Sequence, residues 1–163
     1  MAERKIGSFE SVQTFALKSG TVYETYVTSE RLVAVKIGDP MEGGKAATIH
    51  FGALGAIIGY FLDKRVQKKR AALRAANADK ALDELLLQDK KNFEVRFADL
   101  EGAEIKKGKL GFLGGTKANL VLTKLGEKPM ELQLVKKEHV AAALVALEPA
   151  LQGRLRKDPN LKA

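Results

Sequence analysis

Between Gly20 and Lys36 the chain reads TVYETYVTSERLVAVK, dense in Thr, Val and Tyr and broken only at Ser29 and Glu30. Branched and aromatic residues in such a run predict two strands joined by a tight turn there, with an earlier strand over Ser8 to Leu17. GDPMEGGK, Gly38 to Lys45, then carries the chain away from the sheet. From Asp63 to Lys91 the composition shifts to Ala, Leu, Lys, Arg and Glu, and the spacing of Leu82, Leu85, Leu86 and Asp89 predicts an amphipathic helix over Asp79–Lys90 capped by Asn77 or Asp79. Alternation returns in NFEVRF, Asn92 to Phe97, where Phe93, Val95 and Phe97 share one face. Further strands are predicted at Gly102–Lys107, Ala118–Leu125 and Pro129–Val135, joined by turn-rich connections into an antiparallel meander. Val140, Leu144, Leu147, Leu151 and Leu155 form a single stripe at helical spacing. Pro149 interrupts that stripe and predicts a kink or two short helices, since it removes the amide that would bond to residue 145.

This order carries a resemblance. YVTSERLVAVKIG (Tyr26 to Gly38) resembles the "VT..R" strand pair of bacterial pleckstrin-homology-like and GRAM-like domains. FEVRFADLEGAEIKKG (Phe93 to Gly108) resembles their strand, turn and strand, and PMELQLVKKEHVAAALVAL resembles their last strand running into a C-terminal helix. What the resemblance implies is an α+β fold: an antiparallel pleckstrin-homology-like β-barrel or sandwich with a C-terminal helix. The chain departs from the family through a helical insertion at about 40–91; its length and pattern predict one domain over residues 1–156, with 157–163 as a flexible tail.

Composition agrees with a single domain: 163 residues, 45% apolar and 29% charged, are enough for one core and not for two. The absence of cysteine removes disulfides, thiolate metal sites and cysteine nucleophiles. MAERKIGSFESVQ has no apolar segment behind its charges, so the expected location is cytoplasmic. The net charge of +8 is local: Lys64–Arg74 holds six cations and no acid, Ile105–Lys117 holds four and no acid, and the rest of the chain is slightly acidic.

The first basic block follows directly on an uncharged run, Ala46 to Leu62, within which stands HFGALGAIIGYFL. Its 17 residues would span about 25 Å as a helix, short of the roughly 30 Å of bilayer hydrocarbon. Strands on both sides of it, with no second apolar segment to return the chain, argue further against a crossing. Projected as a helix, the run puts Gly52, Gly55 and Gly59 on one side, for close helix packing, and Phe51, Leu54, Ile57, Ile58 and Phe61 on the other. Three interior glycines cost about 3 kcal/mol relative to alanine, so close packing has to offset them. The bulky face is expected to meet the chain's own core, a lipid surface or a second copy. If it meets lipid, Lys64, Arg65, Lys68, Lys69 and Arg70 would meet acidic headgroups, although cations point almost all round the projected helix.

KKGKLGFLGGTK supplies a second candidate, with Lys106, Lys107, Lys109, Phe112 and Lys117 as an anion-contacting loop, or simply a hairpin connection. It lacks the order of a phosphate-binding P-loop. His50 and His139 have no paired-ligand spacing, so no metal is expected, and no acid/base pair or nucleophile setting predicts catalysis or a small-molecule substrate. No cofactor is expected. The function expected is therefore a non-enzymatic adaptor contacting an anionic membrane surface or an acidic protein, peripheral to the inner membrane in the lipid case. The alternatives are a homo-oligomer built through the glycine face and a nucleic-acid binder, the latter disfavoured because the basic blocks hold only Phe112 as an aromatic.

Overall fold

The computed structural model describes residues 3–15, 19–39, 63–108 and 118–161. Three long strands come first: β1 (Lys5–Phe15), β2 (Ser19–Thr28) and β3 (Arg31–Gly38). Helix α1, at 63–77, and helix α2 (Leu82–Gln88) precede β4 (Phe93–Arg96). A 3-10 turn, Phe97–Asp99, leads into β5 (Leu100–Lys107), followed by β6 (Ala118–Lys124), β7 (Met130–Leu134), helix α3 (Lys137–Leu151) and β8 (Leu155–Lys157). The strands form one sheet in the order β4-β3-β2-β1-β7-β6-β5-β8, antiparallel except where β8 joins β5.

That order cannot lie flat. β4 and β5 are six strand spacings apart in the sheet, about 29 Å if flat, yet the short link from Arg96 to Leu100 reaches only about 14 Å. The sheet therefore curls until its two ends approach, and its concave face encloses the main core. Phe9, Tyr23, Val27, Leu32, Ile105, Leu120 and Leu132 line it, and α3 closes it with Val140, Leu144, Leu147 and Leu151. The convex face of β1–β3 is covered as well: Leu85 of α2, flanked by Leu82 and Leu86, packs on Tyr26, Val33 and Val35. Coverage on both faces explains why β3 is buried at nearly every position and reads as a nearly continuous apolar run, not as a clean alternation.

The turn between β2 and β3 falls at Ser29–Glu30, and the Thr28 hydroxyl closes it. It accepts from the amides of Glu30 (3.1 Å) and Arg31 (2.9 Å) and donates to the Arg31 carbonyl (3.0 Å). The resemblance motif thus has a local physical job, since Thr at this position replaces a glycine-dependent turn with a side-chain clamp.

Three elements differ from expectation. Helix α2 spans seven residues with Ala81 at its N-cap and no side-chain cap, in place of Asp79–Lys90. The Asp89 side chain accepts from the Lys91 amide (2.8 Å) while its carbonyl accepts from Asn92 (2.9 Å), an Asx-type turn that ends the helix early. Helix α3 is one continuous helix through Pro149, with its C-cap, the left-handed Gln152 (φ 48°), following directly on Leu151. The proline costs one bond in the final turn, opposite Val145 on the exposed side, too near the end to redirect the helix. Leu155, which the helical stripe placed on the C-terminal helix, instead opens a parallel edge strand, Leu155–Lys157, which ends on the first residue of the predicted tail. Beyond it the Asp158 amide donates to the Ile105 carbonyl (3.0 Å), and the Asp158 carboxylate accepts from the Lys107 amide (3.1 Å). Leu161 packs against the main core.

Candidate anionic-surface interface

Helix α1 lies over the convex face with one row toward the protein. Arg70 (7% exposed) and Asn77 (6% exposed) are buried, Arg74 between them is half-buried, and so is Val66 one turn before Arg70. These positions are three or four apart, a single helical face. On the opposite face Lys64, Arg65, Lys68 and Lys69 are exposed. The basic block is therefore divided by role, and Arg70, expected among the surface cations, stands inside.

What draws the two arginines inward is a pair of carboxylates. Glu10 of β1 and Glu24 of β2 are cross-strand partners, and Arg74 spans them, with Nε donating to Glu24 Oε2 at 2.6 Å and Nη2 bonding Glu10 Oε2. Arg70 places Nη1 3.5 Å from Glu10 Oε1 and donates from Nη2 to the Asp39 carbonyl at 3.1 Å. Helix α1 is thus tied to β1, to β2 and to the chain just past β3.

His139, in the first turn of α3, completes this neighbourhood. Burial pushes its imidazole below its ordinary value, with Glu10 opposing that shift and Lys136 and Arg74 reinforcing it, and its Nδ1 is buried with no hydrogen-bond partner. A histidine whose folded value lies below 6.5 binds fewer protons folded than unfolded in the window between the two. Stability should consequently be highest above pH 6.5 and decline as the pH falls through the folded value. Urea denaturation of wild type and His139→Gln over that window checks this: the slope should flatten in the variant, and an unchanged slope would assign it elsewhere.

A second charged cluster surrounds Arg31. Its guanidinium bonds Glu3 (Nε–Oε1 2.8 Å, Nη2–Oε2 2.9 Å), Asp83 of α2 (2.7 Å) and Glu94 of β4. Beside it opens a groove of about 630 Å³ that also includes Glu30, Arg96, Phe97 and Arg154. The arginines of this groove already have partners: Arg96 bonds Glu94 (3.2 Å), and Arg154 donates to the Phe97 carbonyl (3.1 Å).

The other predicted contacts divide as follows. Phe51, Leu54, Ile57, Ile58 and Phe61, with Gly52, Gly55 and Gly59, lie outside the described residues, as do Lys109, Phe112 and Lys117. Lys106 and Lys107 are exposed at the end of β5, where Lys106 pairs with Glu104 at 3.4 Å. Among the described residues no helix is long and apolar enough to cross a membrane, and no group of three His, Asp or Glu side chains is placed to hold a metal ion. Glu10, Glu24 and Arg31 were not among the sequence candidates. The available signal was one glutamate in each of two neighbouring predicted strands and a pair of arginines one helical turn apart. No family model, no curated protein and no solved structure matches the chain.

Proposed function

We propose that the protein is a non-enzymatic adaptor, built on a pleckstrin-homology-like barrel, that docks peripherally on an anionic membrane surface through helix α1. The fold component is supported by the strand order, in which two successive meanders, β1–β4 and β5–β7, are followed by a helix that closes the core. The observation that carries the function is the division of the basic block. Two arginines fix α1 to the sheet, and Lys64, Arg65, Lys68 and Lys69 share its exposed side. Cations at an anionic lipid surface contribute on the order of 1 kcal/mol each. A helix immobilised beforehand gives up less conformational entropy on docking.

Cosedimentation with phosphatidylserine-containing vesicles tests the reading. The wild type should bind them in a salt-sensitive manner and leave phosphatidylcholine vesicles untouched. Lys68→Glu/Lys69→Glu should weaken binding by about 30-fold or more, the loss of about 2 kcal/mol of attraction. Equal binding to both vesicles, or to neither, would overturn it.

A further inference from the structure

Glu10 and Glu24 face each other across the β1–β2 ladder, with Val12 and Val22 on one side of them and Tyr26 on the other. Like charges in this relation repel, and the two side chains are only 13% and 10% exposed, so water does little to relieve them. Arg70 and Arg74, one turn apart, also repel. Each pair is stable here because the other neutralises it. α1 is thus attached differently from α2 and α3, which present leucines to the sheet: its inward row is Val66, Arg70, Arg74 and Asn77. The docked arrangement is not fully satisfied either, for Arg70 Nε is buried without a partner.

We propose that the Glu10–Glu24 pair is a charge latch that holds Arg70 and Arg74 in reserve, so that the docked helix presents one row of cations to an anionic lipid surface and the released helix presents both rows. The proposal rests on the lipid-docking reading of α1. A densely anionic surface meets more cations on the released helix, which is the differential affinity that a shift between two states requires. A sparsely charged surface lacks that advantage and leaves the latch closed. Release also returns to water two carboxylates and a guanidinium whose Nε is buried without a partner, which offsets part of the lost ion pairing.

The test uses the full chain with phosphatidylserine-containing vesicles, read beside hydrogen exchange in solution. In Glu10→Gln/Glu24→Gln, amides of residues 63–77 should exchange faster. Vesicle binding should tighten by about 30-fold, the effect of two added cations at about 1 kcal/mol each. Glu101→Gln/Glu127→Gln makes the same change in net charge at exposed positions and should gain far less. Adding Arg70→Gln/Arg74→Gln to the first variant restores the wild-type net charge and should abolish the gain. Slow exchange retained in Glu10→Gln/Glu24→Gln, a gain no larger than the control's, or a gain that survives loss of the arginines would each overturn the latch. Should that variant unfold globally, Arg74→Lys replaces it: the charge remains but a single ammonium cannot span both carboxylates. Faster exchange in α1 then supports the latch, and unchanged exchange overturns it. Wild type that binds no vesicle defeats the lipid reading alone, and the exchange data still judge the latch.

Discussion

Arg31→Met should lower the unfolding free energy by about 2–3 kcal/mol at neutral pH, and by much less at pH values where carboxylates are protonated. The Arg31 side chain is 14% exposed and holds together the residues before β1 (Glu3), β4 (Glu94) and the helical segment (Asp83). Removing it leaves three acids around a vacated charge. Asp83, 77% exposed, contributes little to the loss, and the partial exposure of Glu3 and Glu94 keeps the effect below that of a fully buried pair. The pH dependence follows from the same contacts. The hydrogen bonds from Arg31 hold the carboxyls of Glu3 and Glu94 below their ordinary value of 4.5. Depressed folded values mean stability that is fully present above 4.5 and lost as the pH falls through them. Urea denaturation of both proteins across that range should show the curves converging in acid. A difference that stays constant would place the contribution in the packing of the arginine stem instead.

The strands were legible because their signals are local. The break at Ser29–Glu30, the alternation through Val95 and Phe97, and the runs that became β6 and β7 depend on neighbours within a few residues. Strand β8 was not legible, since Leu-Arg-Lys has no period of its own and is a strand only because the β5 edge is there to receive it. The early stop of α2 depends on an Asp89 side chain that favours a turn over another helical residue. For the basic block the limit is sharper. Projection of α1 alone shows cations almost all round, and nothing within 63–77 tells Arg70 from Lys69. The distinction lies in Glu10 and Glu24, far earlier in the chain, whose burial on the convex face exists only once β1 and β2 have paired. Arg31 was legible as part of a motif and not as a hub, because its partners come from three separate stretches of sequence.

Leu147→Ala should cost about 3–4 kcal/mol, a drop in Tm on the order of 10 °C. Leu147 is fully buried in the main core, on the face of α3 that closes the curled sheet. The cost of such a truncation depends on whether its surroundings can collapse into the space, and here one contact resists collapse. α3 already passes so close to β1 that a Cβ on Gly7 would stand 3.1 Å from the Cβ of Ala146. The helix cannot move inward at the residue beside Leu147, so most of the cavity should persist. Val145→Ala, on the same helix but 76% exposed, should change stability by less than about 0.5 kcal/mol. Chemical denaturation of the two variants reads the contrast directly, and a Leu147→Ala loss below about 1 kcal/mol would mean that α3 does not close the core. The two helices should also separate functionally. α1 rests on the convex face through charge, and the cavity opens on the concave side. Leu147→Ala, measured where it remains folded, should therefore keep wild-type affinity for anionic vesicles while losing stability, whereas Lys68→Glu/Lys69→Glu should do the reverse.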